Sequence, residues 1–322
     1  MLYPLKFEPI YKERIWGGNR LRDNYLRMCP DDRPIGESWE LSGLDGDLSV
    51  VTNGELAGNN IQELIEIYMG ELVGDAVFDK FGMEFPVLVK LLDASDILSV
   101  QVHPGDELAA ERHGAYGKTE MWYVMEADED SYIYLGFSKN ISREEYIDHL
   151  NNKTIQSVLK KEKVKKGDMF YLPAGTIHAI GSGVLLAEIQ QTSDITYRLY
   201  DWDRKDSKGK MRDLHTELAV DALDFGKRND LCIRTESKKN EVVEAVSSEF
   251  FVTNIIEMDG AMERDYSSLD SFVIYQCLEG EIFIETEGGM EYMMDAETVL
   301  LPAVFNYAVI KGKGKFLEVY IK

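Results

Sequence analysis

Short runs rich in Val, Ile, Tyr and Phe recur along this chain, each closed by Gly, Asp or Pro. They constrain its fold more than any other feature. FPVLVKLLDA, ILSVQVHP, TEMWYVME, SYIYLGF, DMFYLPA, GVLLAEIQQTS, SFVIYQCLEG, EIFIETEGG and TVLLPAVFNYAVI are all of this kind. Many short strands joined by close turns predict a mainly β chain built as a sandwich or barrel of the jelly-roll type. Three segments read as helices instead. Residues 59–81 place Ile61, Leu64, Ile65, Met69 and Leu72 at helical spacing behind Asn residues. Residues 142–160 open with a capping box, Ser142-x-x-Glu145, and a weaker helix follows Arg212 through ELAVDAL.

The charged stretch 228–244 is the best linker, which predicts a first domain over 1–235 and an all-β domain over 236–322. The second domain holds a worn copy of a segment in the first. Gly167-Asp-Met-Phe-Tyr-Leu-Pro173-Ala-Gly175-Thr-Ile-His178 aligns with Ala296-Glu-Thr-Val-Leu-Leu-Pro302-Ala-Val304-Phe-Asn-Tyr307. Strand, Pro and Ala persist; Gly175 and His178 give way to Val304 and Tyr307.

Charge narrows the partners. Over 322 residues, 58 Asp+Glu against 35 Lys+Arg give a net −23. Such a chain lacks the basic face that nucleic acid or an anionic membrane requires. A small anionic substrate is compatible only where a local knot of Lys, Arg or metal overrides the field. Cys29, Cys232 and Cys277 are odd in number and form no CxxC, the pattern of reduced thiols in a cytoplasmic protein. Charges from Lys6 onward leave no apolar leader, and no run reaches the roughly 18 apolar residues of a membrane helix.

Five histidines occur, and two have unusual surroundings. In Ser99-Val-Gln101-Val-His103-Pro104, Gln101 and His103 fall two apart on a strand and so share a face. Glu120 in TEMWYVME lies on an otherwise apolar face, where a carboxylate needs a counter-charge or a metal. His178 follows a Pro-x-Gly turn that can aim its imidazole inward. Two His, a Glu and a Gln form an N/O donor set suited to catalytic zinc; Mn, Fe(II) or Co fit the same set. No phosphate-cradling Gly loop, dinucleotide fingerprint or nucleophile elbow competes with it.

Gly167-x5-Pro173-x-Gly175-x2-His178 resembles the second motif of the cupin superfamily. QVHPGDELA, GKTEMWYV, LPAGTIHAI with TSDITYRLYDWDR, IGESWELS and FPVLVKLLDA are together similar to the type I mannose-6-phosphate isomerases, in their short bacterial form. The resemblance implies two cupin domains with a helical insertion, the second degenerate. It implies one zinc ion per chain held by His103, Glu120 and His178, with Gln101 as a fourth ligand. It further matches Arg198 to an active-site arginine, Lys90 and Lys118 to pocket lysines, Ser99 to a phosphate-contacting serine, and Glu188 to a carboxylate near the reacting carbons. The implied reaction interconverts mannose 6-phosphate and fructose 6-phosphate through an enediolate. Glu188, Lys118 and a hydroxide at the metal are the candidate bases. Another metal-dependent cupin enzyme, a sugar isomerase or an Fe(II) oxygenase, would share the ligands without needing the phosphate cluster. A non-catalytic sugar-binding cupin would tolerate loss of Arg198 and Glu188. Oligomeric state is not legible in the sequence.

Overall fold

A computed structural model describes residues 1–25, 29, 33–205 and 208–322. The chain is mainly β, and its contacts divide it into two compact units. The first comprises Met1–Ile10, Trp39–Lys90 and Arg234–Lys322; the second, Tyr11–Ser38 and Leu91–Ile233. A cut at 235/236 follows the chain, whereas the contacts group two N-terminal segments with the C-terminal strands. Main-chain bonds such as Leu5 N–H to Leu300 O (2.8 Å) tie them there.

The second unit is a two-sheet jelly roll. In one sheet Val184–Gln191, Glu120–Ala127, Met169–Leu172 and Cys232–Ile233 are consecutive neighbours. The other has the order Tyr197–Tyr200, Val100–Val102, His178–Ile180, Tyr132–Phe137, Leu159–Lys163. Alternation decides what each face carries. In the second sheet Val100, Val102, Ile177, Ala179, Tyr197 and Leu199 join an outer core with Tyr146, Ile155, Ala219 and Val220 from the helical segments. Gln101, His178 and Arg198 therefore face the opposite way. Gln101 pairs directly with both His178 and Arg198, so the three form one row across three strands. In the first sheet Trp122, Val124, Phe170, Leu172 and Leu186 pack with Ile133, Leu135 and Ile180 of the second, filling the space between the sheets. Glu120, two residues before Trp122, and Glu188, paired directly with Trp122, share that inner face.

Two helices in this unit escape the periodicity. Asp106–His113 buries only Ala109, and Arg20–Tyr25 only Leu21. The shorter helix starts where Arg20 N–H donates to Asp93 Oδ2 at 2.7 Å. Burial raises the Asp93 carboxyl from 3.8 to about 6, against the lowering effect of that N–H donor. The folded state thus favours the protonated form. The stability this contributes is full below pH 3.8 and is lost as pH rises through about 6. Asp93→Asn is expected to flatten the fall in stability between those values, read by urea unfolding at a series of pH values. An unchanged slope would remove Asp93 as its source.

In the first unit one long sheet runs Glu241–Ser247, Val252–Asp265, Tyr307–Tyr320, Val273–Thr286, Gly289–Met294, with Thr298–Leu301 also paired to Val273–Thr286. The helix expected over 59–81 divides into Ile61–Tyr68, Gly70–Val73 and Asp75–Phe81. Its start is as read: Asn60 and Glu63 close a capping box, and Ile61, Leu64 and Ile65 are buried. It breaks at Met69 and at Gly74, which has φ +96° and a backbone so close to Asp270 that a Cβ would lie 2.3 Å from its carbonyl oxygen. The segment 142–160 likewise keeps its capping box but ends as a helix at Asn151, after which Lys153 takes φ 55° and Ile155–Val158 forms a single tight turn.

The internal repeat is visible bond for bond. Gly167 N–H donates to Val124 O (2.8 Å) and Val124 N–H to Asp168 O (2.9 Å). Ala296 N–H donates to Cys277 O (3.1 Å) and Cys277 N–H to Glu297 O (2.9 Å). After each Pro, the residue three on donates back: Thr176 N–H to Pro173 O and Phe305 N–H to Pro302 O, both 3.1 Å. The registers also correspond, Trp122–Glu188 in one copy and Tyr275–Glu318 in the other. In the second copy Glu318 is fully buried and bound by Arg264, Tyr266 and Asn254.

Candidate metal centre

His103, Glu120 and His178 are brought together at one end of the inner faces, all almost fully buried. Backbone carbonyls fix both imidazoles. His103 Nδ1–H donates to Ile195 O and His178 Nδ1–H to Thr176 O, each at 2.8 Å. Both Nε2 atoms therefore carry lone pairs turned toward Glu120. His103 Nε2 lies 3.6 Å from Glu120 Oε2, and His178 Nε2 lies 3.4 Å from Oε1. Two donors each about 2.0–2.1 Å from a tetrahedral zinc ion are about 3.3 Å apart, so the spacing fits such an ion. The chemistry fits too. Burial brings His178 down to about 4, which keeps its ring neutral as a ligand must be. Gln101 donates an amide N–H to the same His178 Nε2 at 3.2 Å, so its side chain reaches the ligand cluster.

The turn before His178 depends on Gly175. Its φ is +88°, and a Cβ there would lie 2.9 Å from Ala222 O. Its N–H donates to His103 O at 2.9 Å, linking the two ligand-bearing segments directly.

Charged groups ring the triad. Lys118 is buried, with its ammonium against Glu120 Oε2, 3.3 Å from His103 Nε2 and 3.5 Å from Glu188 Oε1. Desolvation pulls the lysine down, but Glu120 and Glu188 together raise it above its ordinary value. A lowered Lys118, the condition for its acting as a base, is not what this surrounding favours. Glu188 also accepts from Trp122 Nε1–H at 2.9 Å.

Arg198 does not bridge to Asp194, Asp201 or Asp203. Its Nη1 donates to the Asp213 carbonyl at 2.8 Å, and its backbone N–H to His215 Nδ1 at 3.1 Å. Asp201 instead takes Arg204 (2.6 Å) and Arg212 (2.8 Å), and Asp203 takes Lys153. Arg198, Lys210, Met211, Arg212, Asp213 and His215 line a cavity of about 350 Å³. Burial, then the nearby Arg212, lowers Arg198 from its ordinary value. An anion in that cavity would relieve the crowding of positive charge. Lys210, Arg212 and His215 were missed from sequence; the run GKMRDLH, with three basic side chains in so acidic a chain, was the available signal. Ser99 is buried just before the Val100–Val102 strand. Lys90 belongs to the first unit, where its ammonium lies 4.8 Å from the centre of the Trp39 ring. Among the described residues no helix is long and apolar enough to cross a membrane.

Residues 4–145 match the family model for the phosphomannose isomerase type I catalytic domain. The chain is 35% identical to a probable mannose-6-phosphate isomerase of Bacillus subtilis (strain 168), over 98% of its own length and 99% of the relative's. It is 38% identical to a mannose-6-phosphate isomerase of Streptococcus mutans, over 89% of both. A crystal structure of a mannose 6-phosphate isomerase from B. subtilis superposes with a TM-score of 0.89 at 35% identity, covering 99% of this chain and all of that one. The chain belongs to the type I phosphomannose isomerase family and is an isomerase.

Proposed function

We propose that the chain interconverts D-mannose 6-phosphate and D-fructose 6-phosphate, with one zinc ion held by His103, Glu120 and His178 and with Gln101 as a fourth ligand. The observation that carries the metal assignment is the pair of buried imidazoles, each committed to a backbone carbonyl through Nδ1, with both Nε2 atoms turned on one carboxylate. Zinc supplies Lewis-acid stabilisation of the charge that develops on the sugar oxygens.

The protein's own groups do the rest. Arg198 holds the phosphate, assisted by Lys210 and Arg212 of the basic cavity and by Ser99, and so fixes the reacting carbons. Glu188 takes the proton from C2; the C–H electrons form the C1–C2 double bond of an enediolate while the C1=O π pair moves to O1, and the same proton is then returned to C1 as the O2–H proton passes to O1 and the C2=O bond forms. Lys118, kept protonated between Glu120 and Glu188, donates to a substrate oxygen as its charge grows. We place the enzyme in the cytoplasm, where its phosphorylated substrate is retained.

A coupled assay of mannose 6-phosphate to fructose 6-phosphate tests this reading. Turnover should vanish on chelation and return with added zinc. If zinc-loaded protein gives no product, the isomerase assignment fails; if another divalent ion restores activity and zinc does not, the metal assignment fails.

A further inference from the structure

Lys118 is a charged group beside the triad that no helix or strand carries: residues 116–119 form neither. Yet its ammonium must fall among Glu120, His103 and Glu188. Three consecutive N–H groups hold the segment, each by an acceptor from elsewhere. Gly117 N–H donates to Asp106 Oδ1 (2.7 Å), Lys118 N–H to Pro104 O (3.1 Å), and Thr119 N–H to Gln191 Oε1 (2.8 Å). The other end of the Gln191 amide donates to the same Asp106 Oδ1 at 2.9 Å. One amide and one carboxylate oxygen thus span Lys118 from both sides.

The clamp extends to the ligand segments. Gln191 N–H donates to Thr119 O at 3.1 Å, and Thr119 Oγ1 accepts from Ala174 N–H at 3.2 Å, on the loop leading to His178. Thr119 is 2% exposed and Gln191 6%, so water would not readily replace a lost bond. Gly117 has no room for a side chain, since a Cβ would lie 2.6 Å from Asp106 N.

We propose that Gln191 and Asp106 are positioning residues that set the Lys118 ammonium for the proton-transfer step while contributing nothing to metal ligation. The proposal rests on the isomerase reading above. A misplacement of about 1 Å at a reacting group can lower turnover about 100-fold, and the clamp governs displacements of that size.

The test uses the full-length, metal-loaded protein and three variants. Gln191→Met removes both amide bonds at similar length, Asp106→Ala removes the shared oxygen, and Asp106→Asn keeps an oxygen able to take its place. Five quantities are read: thermal midpoint, zinc affinity, hydrogen exchange at the Thr119 amide, and kcat and KM for mannose 6-phosphate. Gln191→Met and Asp106→Ala should speed exchange at Thr119, leave zinc affinity and KM unchanged, and lower kcat about 10- to 100-fold. Asp106→Asn should recover most of what Asp106→Ala loses. Faster exchange with unchanged kcat would overturn the proposal. So would a fall in kcat matched by loss of zinc, or an Asn variant as impaired as the Ala variant. Wild-type protein that binds zinc but lacks turnover would overturn the isomerase reading itself, a result separable from these because the exchange and zinc measurements need no activity.

Discussion

Replacing Glu188 with Gln is expected to lower kcat by on the order of 10²–10⁴-fold, the usual contribution of a positioned acid–base group, with little change in KM. Gln keeps the shape and an oxygen to accept from Trp122 Nε1–H, now at 2.9 Å, so the local packing survives. What disappears is the negative charge 3.5 Å from Lys118 and the basic site able to hold a proton. Steady-state kinetics with metal content measured on the same sample check this. Turnover equal to wild type would remove Glu188 from the proton transfer.

The second large effect is on stability, and it should depend on metal. Lys118 is 4% exposed and is the cation between two buried carboxylates, Glu120 and Glu188. Removing one partner of such a buried arrangement costs about 3–5 kcal/mol, because the remaining charge stays in a poor dielectric. Lys118→Met is therefore expected to destabilise the metal-free protein by about that amount. A bound divalent cation offsets the charge of Glu120, so the loss should shrink when zinc is present. Urea unfolding with chelator and with zinc measures both. An equal loss in the two conditions would mean that the ammonium stabilises by packing instead of charge.

The convergence of the candidate ligands was legible because each member obeys a local rule. Gln101 and His103 alternate with valines, Glu120 opens an apolar strand, and His178 follows a turn that only Gly175 can make. Strand alternation alone reproduces which of these point inward. The basic cavity was harder to read, because Lys210, Arg212 and His215 come from a segment without periodicity and meet Arg198 only through tertiary contacts. The same limit explains the helices. Capping boxes at Asn60 and Ser142 mark their starts reliably, since capping involves side chains three residues apart. The break at Gly74 is enforced from far away in sequence, by the backbone of Asp270. Grouping of Met1–Ile10 with the C-terminal strands was hidden for the same reason: it depends on a pairing almost the whole chain apart.

The repeated strand–Pro–turn has a consequence for how this protein is made. Its second copy keeps the strand-end bonds and the bond back to its Pro with Val304 and Tyr307 where the first has Gly175 and His178, so these main-chain bonds form where no ligand histidine follows. Polypeptide synthesis and metallation can then be separate events. The chain would leave the ribosome, fold, and wait for its ion with the donors already aimed. Under the metal dependence proposed above, activity in a cell would follow the supply of metal long after translation, and a demetallated population would be a reserve to be recharged instead of debris to be degraded.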